Sequence, residues 1–425
     1  MMWKPGGRAL YCRVLLLLAV LVASTPAAAG SDADTVQVWF AQDSLAERLI
    51  DFMDGAQVSL DYCCYNSTRD DVVDAVITAK ARSVRVRVIT DNRRLGNPWV
   101  ARLRQAGIPV WSDSVGPQPG DYMHNKFAVR DLANADSTDD RVWCATYNPN
   151  EGELRADCAI EIPHSGIARA FRLEFEQMWG DTGMVPDPQN AEFHDGKRDV
   201  IGEHRFQLDG HEVEVYFTPQ DRPVDTVAAR VRAAGSHVIF GVLAFTHDGL
   251  GDAMLDRWAN DVRVGGVIDR SGIGNQGSEY PRLHGAGIPV FEDSVPFGEK
   301  MIHEKLMVID SARTVVGSAN WSRNGNEDND EYLLVIHHPG LTMRFLDELH
   351  RRYAEAGGQG VAEPGEPHPS PRPAATVLRS VELRMRSGLT LRDATGRRVS
   401  GSDLVPGVHF ACEVDGRISP FVVVR

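Results

Sequence analysis

The chain contains itself twice, and no other feature constrains its fold as strongly. The stretch Ala106–Val115 (AGIPVWSDSV) returns as Ala286–Val295 (AGIPVFEDSV), an offset of 180 residues. Flanking segments keep step: Val36–Phe40 with Val213–Phe217, Gln57–Asn66 with His237–Thr246, and Val88–Asp91 with Gly266–Asp269. The duplication covers about 35–180 and 211–355. Within the first copy, Val36–Phe40 alternates, Leu45–Met53 has helical spacing and Val58–Tyr65 is a buried strand candidate. Asp70–Ala81 is amphipathic and Val84–Ile89 alternates again. Helices over Ile167–Trp179 and Leu341–Tyr353 close the two copies. Alternating strands and helices predict an α/β sheet with helices on its faces.

The rest of the chain is organised around the repeats. Lys4, Arg8 and Arg13 precede an apolar run from Val14 to Ala23, and Ala27-Ala28-Ala29 follows. That order predicts a secretory signal peptide over 1–29 and an exported protein, periplasmic or secreted. Residues 181–210 form a polar connector, and 357–375 a Pro/Gly-rich linker. Beyond it, 376–425 shows short β-type runs broken by Gly turns, a small β module. Export makes disulfides possible, and Cys144 and Cys158 fall on consecutive strand-like runs. Burial as small apolar side chains is the alternative for all five cysteines after Cys12. The formal charge of −14 argues against a partner held by non-specific phosphate contacts.

After each AGIPV block comes the same sparse pattern. His124-Asn125-Lys126 is followed after four residues by Asp131, and His303-Glu304-Lys305 after four residues by Asp310. Three fixed positions match by chance roughly once per 8,000 starts, so two matches at equivalent places in a duplication are a strong signal. On a strand, His and Lys two apart present from one face. Thr146 and Asn148 follow in the first copy, Ser318 and Asn320 in the second. Histidine, a fixed cation and neutral donors suit phosphodiester chemistry by charge stabilisation. They need no carboxylate pair, cofactor or metal, and none is expected.

The paired H-x-K-x4-D motifs, with Gly317-Ser318-Ala319-Asn320 in the second copy, resemble the phospholipase D superfamily. The resemblance implies tandem α/β/α sandwich domains, a fold of class α/β, in which both motifs meet to build one active site. It implies a phosphohistidine mechanism with His124 as nucleophile and His303 as acid, and a clamp of Lys126, Lys305, Asn148 and Asn320 on the phosphate oxygens. Thr146 and Ser318 are further candidate donors. Asp157 and Glu331, which open the following strands, are the candidate orienting acids. Asp131 and Asp310 complete the catalytic motifs and are expected to fix loop structure rather than react. The first copy departs from the family pattern with Ala145-Thr146 where Gly-Ser is usual, which predicts crowding near the phosphate.

Other signals are weaker. Gly272-Ile273-Gly274-Asn275-Gln276-Gly277 matches a dinucleotide fingerprint, but the repeat makes it equivalent to the rim segment Arg93–Pro98. Asn66-Ser67-Thr68 is a glycosylation sequon in a eukaryotic secretory pathway. His337-His338 is expected on the surface. Trp111, Trp143, Phe291 and Trp321 could line a pocket, although core packing is the commoner role. The expected function is a phospholipase D-type phosphodiesterase releasing phosphatidic acid from phospholipid, with contact to a membrane surface. An exported nuclease is the alternative within the superfamily, and a non-catalytic binder of anionic ligands the alternative outside it. Because both motifs lie in one chain, a monomer suffices.

Overall fold

The computed structural model describes residues 35–115, 121–152, 155–293 and 301–358, and four short strands between 376 and 424. The candidate signal peptide, most of the linker and most of the C-terminal module lie outside the described residues. The first half runs β1 (Gln37–Phe40), α1 (Leu45–Asp54), β2 (Ser59–Cys64), α2 (Asp70–Ala81), β3 (Arg85–Thr90) and α3 (Pro98–Gln105). It continues with β4 (Val110–Ser112), β5 (Lys126–Arg130), β6 (Arg141–Ala145), β7 (Arg155–Ala156), β8 (Cys158–Ile162) and α4 (Ser165–Trp179). The second half opens with β9 (Arg205–Leu208), β10 (His211–Thr218), α5 (Pro223–Arg232), β11 (His237–Val242), α6 (Asp248–Ala259) and β12 (Arg263–Asp269). Next come α7 (Arg270–Ile273), α8 (Tyr280–Gly285), β13 (Val290–Asp293), β14 (Met301–Ile302) and β15 (Lys305–Ile309). It ends with β16 (Arg313–Gly317), α9 (Arg323–Glu327), β17 (Glu331–Ile336) and α10 (Pro339–Glu355).

The two sheets have the same topology. The first is ordered β1-β8-β6-β5-β2-β3-β4, and the second β9-β10-β17-β16-β15-β11-β12-β13, so only the edge strand β9 is extra. The strand pairing fixes the repeat residue by residue. Cys64 faces the motif lysine Lys126 and Val242 faces its counterpart Lys305, which sets β2 and β11 178 residues apart. The match of Gln57–Asn66 to His237–Thr246 is therefore two residues out. A slip of two leaves every side chain on its own face, so the apolar pattern cannot detect it.

Both faces of each sheet are covered, giving the α/β/α sandwich. Leu49, Val76 and Trp143 belong to the outer core of the first half. Val227, Met254 and Trp321 do the same for the second. A third core joins Phe127, Phe171 and Phe175 to Phe217, Leu306 and Phe345, residues of both halves. Each such ring, fully buried, contributes about 1.5–3 kcal/mol. Trp143 and Trp321 are thus core residues, 2% and 0% exposed. Cys63, Cys64, Cys144 and Cys158 are buried free thiols; Cys144 faces Ile160 across the ladder and Cys158 faces Phe40, so no disulfide joins them. Among the described residues, no helix is long and apolar enough to cross a membrane.

Two short crossings bring the halves together where the motifs lie. Met301 and Ile302 of β14 pair with Arg155 and Ala156 of β7, and Met123 bridges to Asp330. Each crossing joins the residues just before a motif histidine to the residues just before a strand-opening acid.

Candidate active site

His124 and His303 stand at the entrances to β5 and β15, two residues before the lysines that begin those strands. The backbone N–H of His124 donates to the Asp330 carbonyl at 2.9 Å, and that of His303 to the Ala156 carbonyl at 2.8 Å. The side chains then cross over between the halves. His124 Nδ1 lies 2.8 Å from Glu331 Oε2, and His303 Nδ1 lies 2.7 Å from Asp157 Oδ1. Each imidazole is therefore oriented by the acid of the opposite repeat. With the carboxylate ionised, Nδ1 carries the hydrogen and Nε2 keeps its lone pair.

Lys126 and Lys305, 3% and 1% exposed, complete the cluster. Lys126 Nζ donates to the His124 carbonyl at 2.7 Å, and Lys305 Nζ to that of His303. Burial disfavours their charged forms, and the lysines repel one another, while Glu331 and Asp157 pull the other way. The balance leaves Lys126 lowered to about 7 and Lys305 to about 8. Burial likewise lowers both histidines, against the pull of the acids. His303 falls to about 3, and His124 moves in the same direction. Burial alone would raise Asp157, but His303, Thr146 and Lys305 hold it down to about 2.

The remaining candidates divide into two groups. Asn148 and Asn320 have uncommitted side-chain carbonyl oxygens, buried without a hydrogen-bond partner. Thr146 and Ser318 do not face a substrate. The Thr146 hydroxyl donates to Asp157 at 2.6 Å and accepts from the Cys158 N–H at 3.0 Å, and the Ser318 hydroxyl accepts from the Tyr332 N–H at 3.1 Å. Both are 0% exposed. Asp131 and Asp310 lie at the far ends of β5 and β15. Asp131 Oδ1 accepts from the N–H groups of Gln57, Val58 and Ser59, and Asp310 from those of Gly235, Ser236 and His237. These aspartates hold the turns that start β2 and β11 and do not reach the histidines.

The Ala-for-Gly departure is also structural. A Cβ on Gly317 would lie 2.3 Å from the Tyr332 carbonyl of the neighbouring strand. In the first half Ala145 is accommodated in the outer core. The crowding concerns strand spacing rather than a phosphate. Gly272 has a similar reason, since its Cβ would fall 1.8 Å from the Leu243 carbonyl. The sequon residue Asn66 donates its amide to Asn150 and accepts from Asn97 and Trp99, so the nitrogen a glycan would use is engaged. His338 caps α10 through Nδ1, and His337 pairs with Glu214 at 2.8 Å. Two clusters of metal-ligand type, Asp199–His204–Asp221 and Glu212–Glu214–His337, lie apart from the motif residues. Their atoms bond within the protein, His204 Nδ1 with the Val215 carbonyl and Glu214 with His337.

Two further features go beyond the sequence reading, which places Arg93–Pro98 at the rim without singling out a residue. Tyr65 sets its ring edge-on to His124, centroids 5.0 Å apart, and Arg94 packs on that ring. The signal for Arg94 was present, because it follows the C-terminal end of a parallel strand, where open α/β sheets bind ligands. The connector also reaches inward. Lys197 Nζ lies 2.9 Å from Asp330 and also binds Glu174, while His194 bridges Asp113 and Asp330. A histidine and a lysine in a polar segment carry no periodicity that would announce this.

Comparison with known proteins gives a consistent picture. The family model described as cardiolipin synthase, PLD-like domain, matches twice, at residues 49–179 and 227–353. A Xenopus laevis protein named mitochondrial cardiolipin hydrolase is 35% identical over 141 residues, 32% of this chain and 62% of that protein. The match thus spans less than two thirds of that relative. A Rickettsia bellii protein named phospholipase D is 26% identical over 151 residues, 36% of this chain and 74% of that one. Among solved structures, the phosphatidylserine synthase of Haemophilus influenzae superposes with a TM-score of 0.58 at 12% identity, covering 76% of this chain and 87% of that one. At that identity the likeness is one of fold. The two matched segments fall on the two halves and make up more than half of the chain, which therefore belongs to the cardiolipin synthase, PLD-like domain family of the phospholipase D superfamily.

Proposed function

We propose that the chain is an exported phosphodiesterase that hydrolyses phospholipids to phosphatidic acid and a free head group through a phosphohistidine. The crossed pairing carries this reading. Two imidazoles are fixed through Nδ1 by carboxylates of opposite halves, with two buried lysines beside them. In the reaction one neutral Nε2 attacks phosphorus, and the bond to the leaving alcohol breaks. The other imidazole gives its Nε2 proton to that alcohol oxygen. The second imidazole then takes a proton from water, whose oxygen attacks phosphorus and breaks the P–N bond. Lys126, Lys305, Asn148 and Asn320 hold the non-bridging oxygens.

The environments favour His303 as nucleophile and His124 as acid, the reverse of the family-based expectation. Burial keeps His303 neutral down to about pH 3. The His124 side chain is 14% exposed against 6% for His303, so it takes a proton from solvent more easily, and a bound phosphate anion stabilises that imidazolium. A phosphodiester with a p-nitrophenolate leaving group, which needs no acid, separates the roles. His124→Ala should still form one equivalent of labelled phosphohistidine, and His303→Ala none. The opposite pattern restores the first assignment.

Arg94 on the Tyr65 ring and Arg93 on the Tyr122 ring also suit a nuclease, which would cleave single-stranded DNA with a steep fall in rate as salt rises. The net charge of −14 weighs toward lipid. Product analysis of the purified protein on phosphatidylcholine, cardiolipin and single-stranded DNA decides between them. Phosphatidic acid or phosphatidyl product, absent with His303→Ala, supports the lipase; DNA cleavage with inert lipid replaces it. Export is tested by the N-terminus of the secreted form, expected just after Ala29.

A further inference from the structure

The site's two rims differ across the pseudo-two-fold. On the first-half side, Tyr65 follows β2, with Lys126 Nζ 5.6 Å from the centre of its ring. Arg94 lies over the same ring, Cζ 4.4 Å from the centroid, and donates to the Tyr65 hydroxyl. Cys64 faces Lys126 and Val242 faces Lys305, which makes Leu243 the counterpart of Tyr65, and the matching registers of β3 and β12 then make Gly272 the counterpart of Arg94. Leu243 has no hydroxyl and offers no ring. Gly272 has no room for a side chain, because its Cβ would meet the Leu243 carbonyl at 1.8 Å. The second half therefore cannot copy this arrangement.

Arg94 makes no direct ion pair among the described residues, although its charge reaches the nearby Asp91 carboxyl and works against the rise that burial causes there. Its neighbour Arg93 pairs with Asp91 at 3.0 Å and donates to the Asp121 carbonyl. Among the described residues, the Nε of Arg94 is buried without an acceptor. A guanidinium that is stacked, partly desolvated and unpaired is poised to take an anion. A single aromatic ring separates it from His124.

We propose that Arg94, presented by Tyr65, is a second anion subsite that takes a phosphate other than the one being cleaved. The site would then favour a lipid bearing two phosphates over a lipid bearing one. This rests on the phosphodiesterase reading above and adds a specificity determinant to it. A lipid rather than a polynucleotide is indicated by the mouth of the site. Tyr122 and Met301, each two residues before its histidine, are 36% and 39% exposed, with Arg93 over the Tyr122 ring, a cationic and amphipathic border suited to a charged lipid surface. The chain's net charge of −14 would repel a long polyanion.

The test compares cardiolipin, with two phosphates, and phosphatidylglycerol, with one, presented in the same neutral micelles. One charge-assisted hydrogen bond made to the first lipid and not to the second changes kcat/KM by about tenfold. Wild-type protein should prefer cardiolipin. Arg94→Gln should shrink that preference about tenfold, mainly through KM, and Arg94→Lys should restore part of it. An equal drop on both lipids, or an unchanged ratio in a variant with wild-type thermal stability, overturns the subsite. Bis(p-nitrophenyl) phosphate reports the chemistry separately. Its turnover without cleavage of either lipid removes the lipid reading itself. Single-stranded DNA cleavage whose KM rises in Arg94→Gln overturns the lipid form and gives Arg94 a flanking nucleotide phosphate.

Discussion

The carboxylate behind each histidine comes from the other repeat, and replacing it with an amide tests the chemistry residue by residue. Asn at 157 could still touch His303 Nδ1, but as an uncharged partner able to favour the wrong tautomer. Asp157→Asn should lower kcat by about 10²–10⁴-fold with KM changed only a few-fold, measured by initial rates. The lysines give the pH dependence. Lys126, lowered to about 7 by burial, loses its proton as pH rises through that value, and Lys305 follows at about 8. The anion clamp is thus fully charged only below that range, and kcat/KM should fall on the alkaline side from about pH 7. Lys126→Arg, which keeps its charge, should push that limb upward in a pH–rate profile. Had the limb belonged to Lys305 alone, the variant would leave it in place.

At the scale of elements, much was legible because the repeat supplied two readings of each segment. The strand that Lys126 opens and the helices Asp70–Ala81 and Ile167–Trp179 follow from period and position, whereas His124 lies just ahead of its strand and the acids at 157 and 331 come from the family resemblance. Thr146 and Ser318 were not legible in either way, because a hydroxyl at a strand end serves a backbone N–H as readily as a ligand. Their roles depend on how far β6 stands from β8, and β16 from β17, which no sequence period encodes. The motif aspartates are turn holders in the same sense. Asp131→Ala strips acceptors from three N–H groups and should cost about 1–3 kcal/mol of stability, read by denaturant titration, with kcat per folded molecule kept. The connector makes a different prediction. Lys197→Met leaves Glu174 buried without its cation and Asp330 with His194 alone, a loss of about 3–5 kcal/mol. Because the Asp330 carbonyl holds the His124 N–H, kcat should fall as well in whatever fraction remains folded, as active-site titration would show.

For the molecule as a whole, the duplication raises the question of whether each half is a folding unit. The packing argues that it is not. Phe171 on α4 sits 5.0 Å from Phe127 of its own half, but also 5.0 Å from Phe217 and 5.4 Å from Tyr332 of the other. The Tyr332 hydroxyl donates to the Ala145 carbonyl, and Arg344 donates to the Val38 carbonyl, so hydrogen bonds cross the same boundary. A half separated from its partner would expose this apolar face and lose the acid that orients its histidine. Folding and assembly of the site are then one event, and the chain should unfold in a single transition despite its internal repeat. Phe171→Ala tests this, since removing a fully buried ring costs about 3–5 kcal/mol. Calorimetry should show one peak moved to lower temperature. Two separated peaks, with only the first-half one displaced, would mean that the halves are stable alone and merely dock. The crossed histidine–acid pairs would in that case form after folding rather than with it.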